Sequence, residues 1–120
     1  MKKVESYRDL LVWQKSMELV GAIYELIGKL PKEERFALTD QMRRSAISIP
    51  SNIAEGYERN STKDYLRFLS IAKGSKAELS TQLDICKMLG YAGDIESAQA
   101  LCTEIGKMLN SIIKKLTTNP

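Results

Sequence analysis

The sequence contains no histidine. That removes the side chain most used as a general base near neutral pH, and the commonest metal ligand. It also excludes the di-iron carboxylate bundles, which need Glu-x-x-His pairs. Cysteine is scarce: Cys86 and Cys102 both fall at apolar positions of helical patterns. There they read as small core hydrophobes in a reducing compartment, not as a disulfide. No CxxC, HExxH or glycine-rich phosphate loop is present. Glu55, Glu78, Asp84 and Tyr57 complete no nucleophile or acid–base constellation, so no catalytic residue, metal or cofactor is expected. No apolar run approaches the roughly 20 residues of a membrane span. The opening Met1-Lys2-Lys3-Val4-Glu5 is unlike a secretory signal, so a cytoplasmic chain without membrane contact is expected.

What remains is helix. A chain of 120 residues with 43% hydrophobic and 28% charged residues has globular composition and the size of one domain, 1–120. Four segments show helical periodicity and none shows the alternation of a strand. The first is predicted over 6–30, with Ser6 and Asp9 set as a capping box. Its apolar residues form two neighbouring rows, Trp13-Met17-Val20-Tyr24-Ile27 and Leu19-Ile23-Leu26-Leu30. Together they make a face wider than one seam needs. Pro31 ends it, and residues 31–35 form a charged connector.

The second helix is predicted over 38–58, with Met42, Ala46, Ile49, Ile53 and Tyr57 on one face. Pro50 lies inside it and removes the donor that would reach the Ala46 carbonyl, which predicts a kink in a continuing helix. Asn52 and Glu55 near that proline read as a structural polar pair. Ser61 caps a third helix over 61–90, whose stripe is Tyr65, Leu69, Ala72, Leu79, Leu83 and Cys86. Lys76 falls on that stripe, positioned to snorkel to an interface or to pair with Glu55. The small residues Ala72, Gly74 and Ser75 predict close helix approach. Asp94 caps a fourth helix over 94–117, in which Ala98, Cys102, Ile105, Leu109, Ile112 and Leu116 repeat strictly. Short connectors between long helices predict an all-α, antiparallel up-down-up-down four-helix bundle. The doubled apolar rows on the first helix, and the face of the fourth widened by Leu101 and Met108, predict self-association. Trp13, Tyr24, Tyr57 and Tyr65 fit the core rows, which leaves few aromatics for stacking on bases.

The positive charge sits in the middle of the chain. From Arg43 to Lys76, seven basic residues oppose three acidic ones, a net of +4, and the remainder sums to −1. Arg43 and Arg44 stand together, and Arg59, Lys63 and Arg67 recur at intervals of four, with Lys73 beyond. Cations repeated along one surface are what phosphate recognition needs. A solvated face with local ion pairs is the alternative.

Five stretches then carry a resemblance: Leu11-Val12-Trp13-Gln14-Lys15, Pro31 through Phe36, Gln41 through Ser45, Ser48-Ile49-Pro50-Ser51-Asn52-Ile53-Ala54-Glu55-Gly56, and Arg67-Phe68-Leu69 with Gly74-Ser75. In order, they resemble the bacterial four-helix bundle family of proteins encoded in intervening sequences of large-subunit ribosomal RNA genes, also labelled S23-like. The accessory variability determinant proteins of diversity-generating retroelements are similar. The resemblance implies a homopentameric ring of four-helix protomers with a surface suited to RNA or DNA. For the retroelement members it implies association with a reverse transcriptase. Arg43 and Arg44 match the family's paired basic positions, and Asn52 and Glu55 its polar pair. Lys76 stands where the family has an apolar residue. Two functional readings follow: a homopentameric nucleic-acid-binding module, or a protein-interaction scaffold such as an accessory subunit of a reverse transcriptase.

Overall fold

Local chemistry places the helix ends. A computed structural model describes residues 3–118. The Ser6 hydroxyl accepts from the Arg8 N–H at 3.1 Å, and Asp9 accepts from the Ser6 N–H at 3.3 Å. This capping box closes only a 3₁₀ turn, Tyr7–Asp9. Leu10 then turns extended, and α1 runs Leu11–Ile27, shorter at both ends than its apolar pattern suggests. A second 3₁₀ turn, Lys32–Glu34, forms the charged connector. The helix α2 spans Leu38–Tyr57 without interruption at Pro50, which is buried within it. Ser61 accepts from the Asp64 N–H at 3.1 Å and starts α3, Thr62–Met88. Gly90 takes φ +72° and lets the Tyr91 N–H reach back to the Cys86 carbonyl, the six-to-one bond that ends helices at glycine. Asp94 accepts from the Ser97 N–H and opens α4, Ile95–Thr118, close to the bounds its pattern predicts. Among the described residues the chain is all-α, with four α-helices and no strand.

The helices meet as neighbours in a closed square: α1 with α2, α2 with α3, α3 with α4, and α4 with α1. Side-chain pairings set the registers. Between α2 and α3, Met42 meets Cys86, Ser45 meets Gln82 and Ser48 meets Ser75. Between α3 and α4, Lys87 meets Glu96, Asp84 meets Gln99, and Lys76 lies against Gly106. Each list rises on one helix as it falls on the other, so these neighbours run in opposite directions.

The core holds the expected rows of α2, α3 and α4 almost intact. Met42, Ala46, Ile49, Ile53, Leu69, Ala72, Leu79, Leu83, Cys86, Ile105 and Leu109 are fully buried. In α1 the second row wins, with Leu19 and Ile23 fully buried and Leu26 nearly so. The first row rides on the shoulder: Met17 and Tyr24 are 45% and 46% exposed, and Trp13 is partly covered. Tyr24 is therefore not a core aromatic, and Tyr57 and Tyr65 are only half-buried. Both cysteines are buried free thiols, and burial pushes their pKa values up.

Two glycines explain close contacts that the sequence assigned elsewhere. A Cβ on Gly56 would sit 2.7 Å from the Phe68 Cβ, so Gly56 admits α3 at the α2–α3 junction. Gly74, expected to serve that purpose, is exposed with open space around it. The Lys76 stem occupies the room left by buried Gly106, whose added Cβ would lie 3.1 Å from Cε and Nζ.

Candidate nucleic-acid interface

The structure divides the predicted basic residues into two groups. Arg43 and Arg44 project from the first half of α2, and both are held by one carboxylate. Asp40 accepts from Arg43 at 3.1 Å and from Arg44 at 3.0 Å. The Arg43 hydrogen bond, then that of Arg44, keeps the Asp40 carboxyl below the usual carboxylate range. A pair of positive charges thus presents little more than one.

Arg59, Lys63 and Arg67 lie roughly 20 Å further along, where α2 turns into α3. The guanidiniums of Arg59 and Arg67 each sit 4.7 Å from the centre of the Phe68 ring, which is 6% exposed beneath them. The negative ring face attracts both cations and limits their motion. Arg59 is further anchored to Glu55 at 3.6 Å. Lys63 is exposed and free of ion pairs among the described residues. Lys73 is exposed too, but six residues past Arg67 it is turned by roughly 120° about the helix axis, so it faces another direction.

Folding adds members that the middle-of-chain charge count overlooked. The α3–α4 register places Lys115 level with Arg67, with Lys114 beside it at the same end of the bundle. The segment 105–118 contains Lys107, Lys114 and Lys115 and no acidic residue. That acid-free run was the available signal. The opposite stretch of these helices, 76–104, carries Glu78, Asp84, Asp94, Glu96 and Glu104 against Lys76 and Lys87. Along α3 and α4 charge is therefore segregated, in a molecule 46 Å long and 27 by 20 Å across, while Glu55, Glu58 and Asp64 lie beside Arg59 where α2 turns into α3.

A model of the 23S rRNA-intervening sequence protein family matches residues 8–111. The chain belongs to that family. A crystal structure of a protein of unknown function from the S23 ribosomal protein family of Bacteroides thetaiotaomicron is similar to it, at 34% identity and a TM-score of 0.80. The likeness covers 87% of this chain and 99% of that one. No curated protein matches.

In this family member the Ser-Ile-Pro-Ser-Asn stretch is a helix-joining device. The Asn52 amide donates to the Ser48 carbonyl at 2.8 Å and to the Ser48 hydroxyl at 2.9 Å, and that hydroxyl shares a 2.7 Å bond with Ser75 on α3. Glu55 takes no part: it is exposed and turned to Arg59, so Asn52 and Glu55 do not form a pair. Lys76 makes no ion pair with Glu55 either, because its stem runs toward α4. Among the described residues no three of His, Cys, Asp and Glu gather as a metal site, and no helix is long and apolar enough to cross a membrane.

Proposed function

We propose that this chain is a non-enzymatic, homopentameric nucleic-acid-binding protein of the cytoplasm, built of up-down-up-down protomers that present their basic end to RNA or DNA. The observation that carries the reading is the α3–α4 register, which brings Lys114 and Lys115 to the same end of the bundle as Lys63 and Arg67. Sequence-distant cations that converge on one end, with two guanidiniums held against Phe68, give phosphates several fixed partners. The opposed pairings along α2, α3 and α4 support the up-down-up-down order. The outer row of α1 supports assembly. Met17 and Tyr24, with Ile47 of α2 at 41% exposure, flank a shallow apolar groove lined by Trp13, Val20 and Pro50. A ring repeats a modest patch about its axis, and repetition converts weak single contacts into avidity.

Fluorescence anisotropy of a structured RNA and a matched DNA duplex, each titrated at low and moderate salt, tests this. Saturable binding with a steep salt slope is expected. Lys114→Ala with Lys115→Ala should reduce the slope by roughly one unit per lysine removed. Arg43→Glu with Arg44→Glu should cost less affinity than Lys63→Glu with Arg67→Glu, because Asp40 already offsets the first pair. No binding at low salt sinks the reading.

A further inference from the structure

The bundle carries a second surface of opposite character at its other end. Between the start of α2 and the last turns of α3 runs a groove of about 690 Å³. Leu38 lies on one wall, with Thr81 and Ile85 on the other. Both charged residues on its lining, Glu34 and Glu78, are acidic. Glu78 makes no ion pair among the described residues. Glu34 accepts one hydrogen bond, from the Tyr91 hydroxyl at 2.6 Å, which leaves acceptor capacity on its carboxylate.

Apolar surface extends past the groove. Phe36, beside its α2 wall, is 88% exposed, and Met88 is 75% exposed. Positions 78, 81, 85 and 88 recur at helical spacing, so they form one stripe of roughly 15 Å, the length of a three-turn helix. The Phe36 ring, with the Arg35 guanidinium 5.3 Å from its centre, and the Met88 thioether lack the burial that a partner would supply, about 1.5–3 kcal/mol per large apolar side chain.

We propose that this groove docks an amphipathic helix of a protein partner, apolar along one face and flanked by lysine or arginine that meet Glu78 and Glu34. Charge selects this occupant. The charged residues that line the groove are carboxylates, although Arg35 packs on Phe36 at its edge, so a basic flank is attracted to the lining itself. Nucleic acid is repelled by the same carboxylates. A second copy is a poor match, because the outward apolar row of α1 is flanked by exposed Glu18 and Glu25. The surface is separate from the basic end and does not depend on what binds there.

The test uses two fluorescent three-turn peptides with identical leucine positions, one flanked by lysine and the other by glutamate. Each is titrated with the full chain by anisotropy, and amide hydrogen exchange locates any footprint. The lysine peptide should bind saturably and the glutamate peptide should not. Protection should concentrate in 36–41 and 78–89. Glu78→Lys should weaken binding at least about tenfold, and the exposed Phe36→Ser should also weaken it while leaving the thermal melt unchanged. Equal binding of both peptides, binding of neither, a footprint elsewhere, or indifference to both substitutions would overturn the proposal. So would a fall in sedimenting mass on Phe36→Ser with Met88→Ser, which assigns the groove to a second copy. RNA titration of Phe36→Ser reports the basic end separately.

Discussion

Single residues decide how closely α2 and α3 approach. Gly56 faces the Phe68 Cβ with no room for a methyl group, whereas nothing lies within 4 Å of a Cβ added at Gly74. Gly56→Ala should therefore destabilise the fold by about 1–3 kcal/mol through overpacking. Gly74→Ala should stabilise it by about 0.5–1 kcal/mol, because it removes backbone freedom from the unfolded chain within a helix. Urea denaturation of the two variants checks the opposite signs. Both glycines sit in helical stretches, and the sequence pointed to the wrong one. A glycine in a string does not say what lies across from it.

Asp40 makes a second case at this scale. Its folded pKa is lowered by Arg43 and Arg44, so its stabilising contribution is present above the unfolded carboxylate value and is lost as pH falls through the folded one. Asp40→Asn releases both arginines. Nucleic-acid affinity at low salt should rise, by no more than about fivefold for exposed pairs of this kind. An anisotropy titration of the variant measures it.

At the level of elements, the helix pairs are keyed by buried polar contacts. Ser45 donates to the Gln82 carbonyl oxygen at 2.8 Å in the α2–α3 seam. Ser45→Ala leaves that acceptor buried and unpartnered, at a cost of about 1–3 kcal/mol. Adding Gln82→Leu should recover part of the loss, and chemical denaturation of the single and double variants resolves the coupling. Tyr91 ties the α3–α4 turn to the connector before α2, and its bond to Glu34, followed by burial, raises its pKa to about 12. A raised folded pKa means the contribution holds below the unfolded value of about 10 and fades as pH climbs from 10 to 12. Thermal melts across that range should show the decline in the native chain and a smaller one in Tyr91→Phe. Helix type, caps and inner rows were legible because they follow from neighbours within a turn or two. The Ser6 capping box forms as its sequence predicts, but it closes a 3₁₀ turn and does not start α1. Leu10 breaks the helical path after one short turn, and no local rule announces that break.

For the whole molecule, the outer α1 row and the segregated charge make separate demands. If the outer row is an assembly face, sedimentation should give five times the 13.5 kDa protomer mass, and Met17→Asp with Tyr24→Asp should reduce it without loss of helicity. A monomeric mass for the native chain at micromolar concentration would refute that. The charge pattern shows where reading along the chain stopped. Arg59, Lys63 and Arg67 were visible as a row because they share a helix face or its immediate approach. Lys114 and Lys115 were not grouped with them, since some fifty residues separate them in sequence and only a register joins them.

The sequence by itself determined that this is an all-α chain of four helices, which rows of α2 to α4 face inward, and where most helices begin. These properties arise from hydrogen bonds and apolar spacing within one or two turns, and such patterns are written locally. Tertiary structure alone decided which α1 row is buried, that one carboxylate holds Arg43 and Arg44, and that the basic residues of α3 and α4 share an end. Those outcomes depend on how rigid helices slide and rotate against one another. Steric fits such as Gly56 on Phe68 and Lys76 over Gly106 fix that sliding, and neither fit can be read from either helix alone.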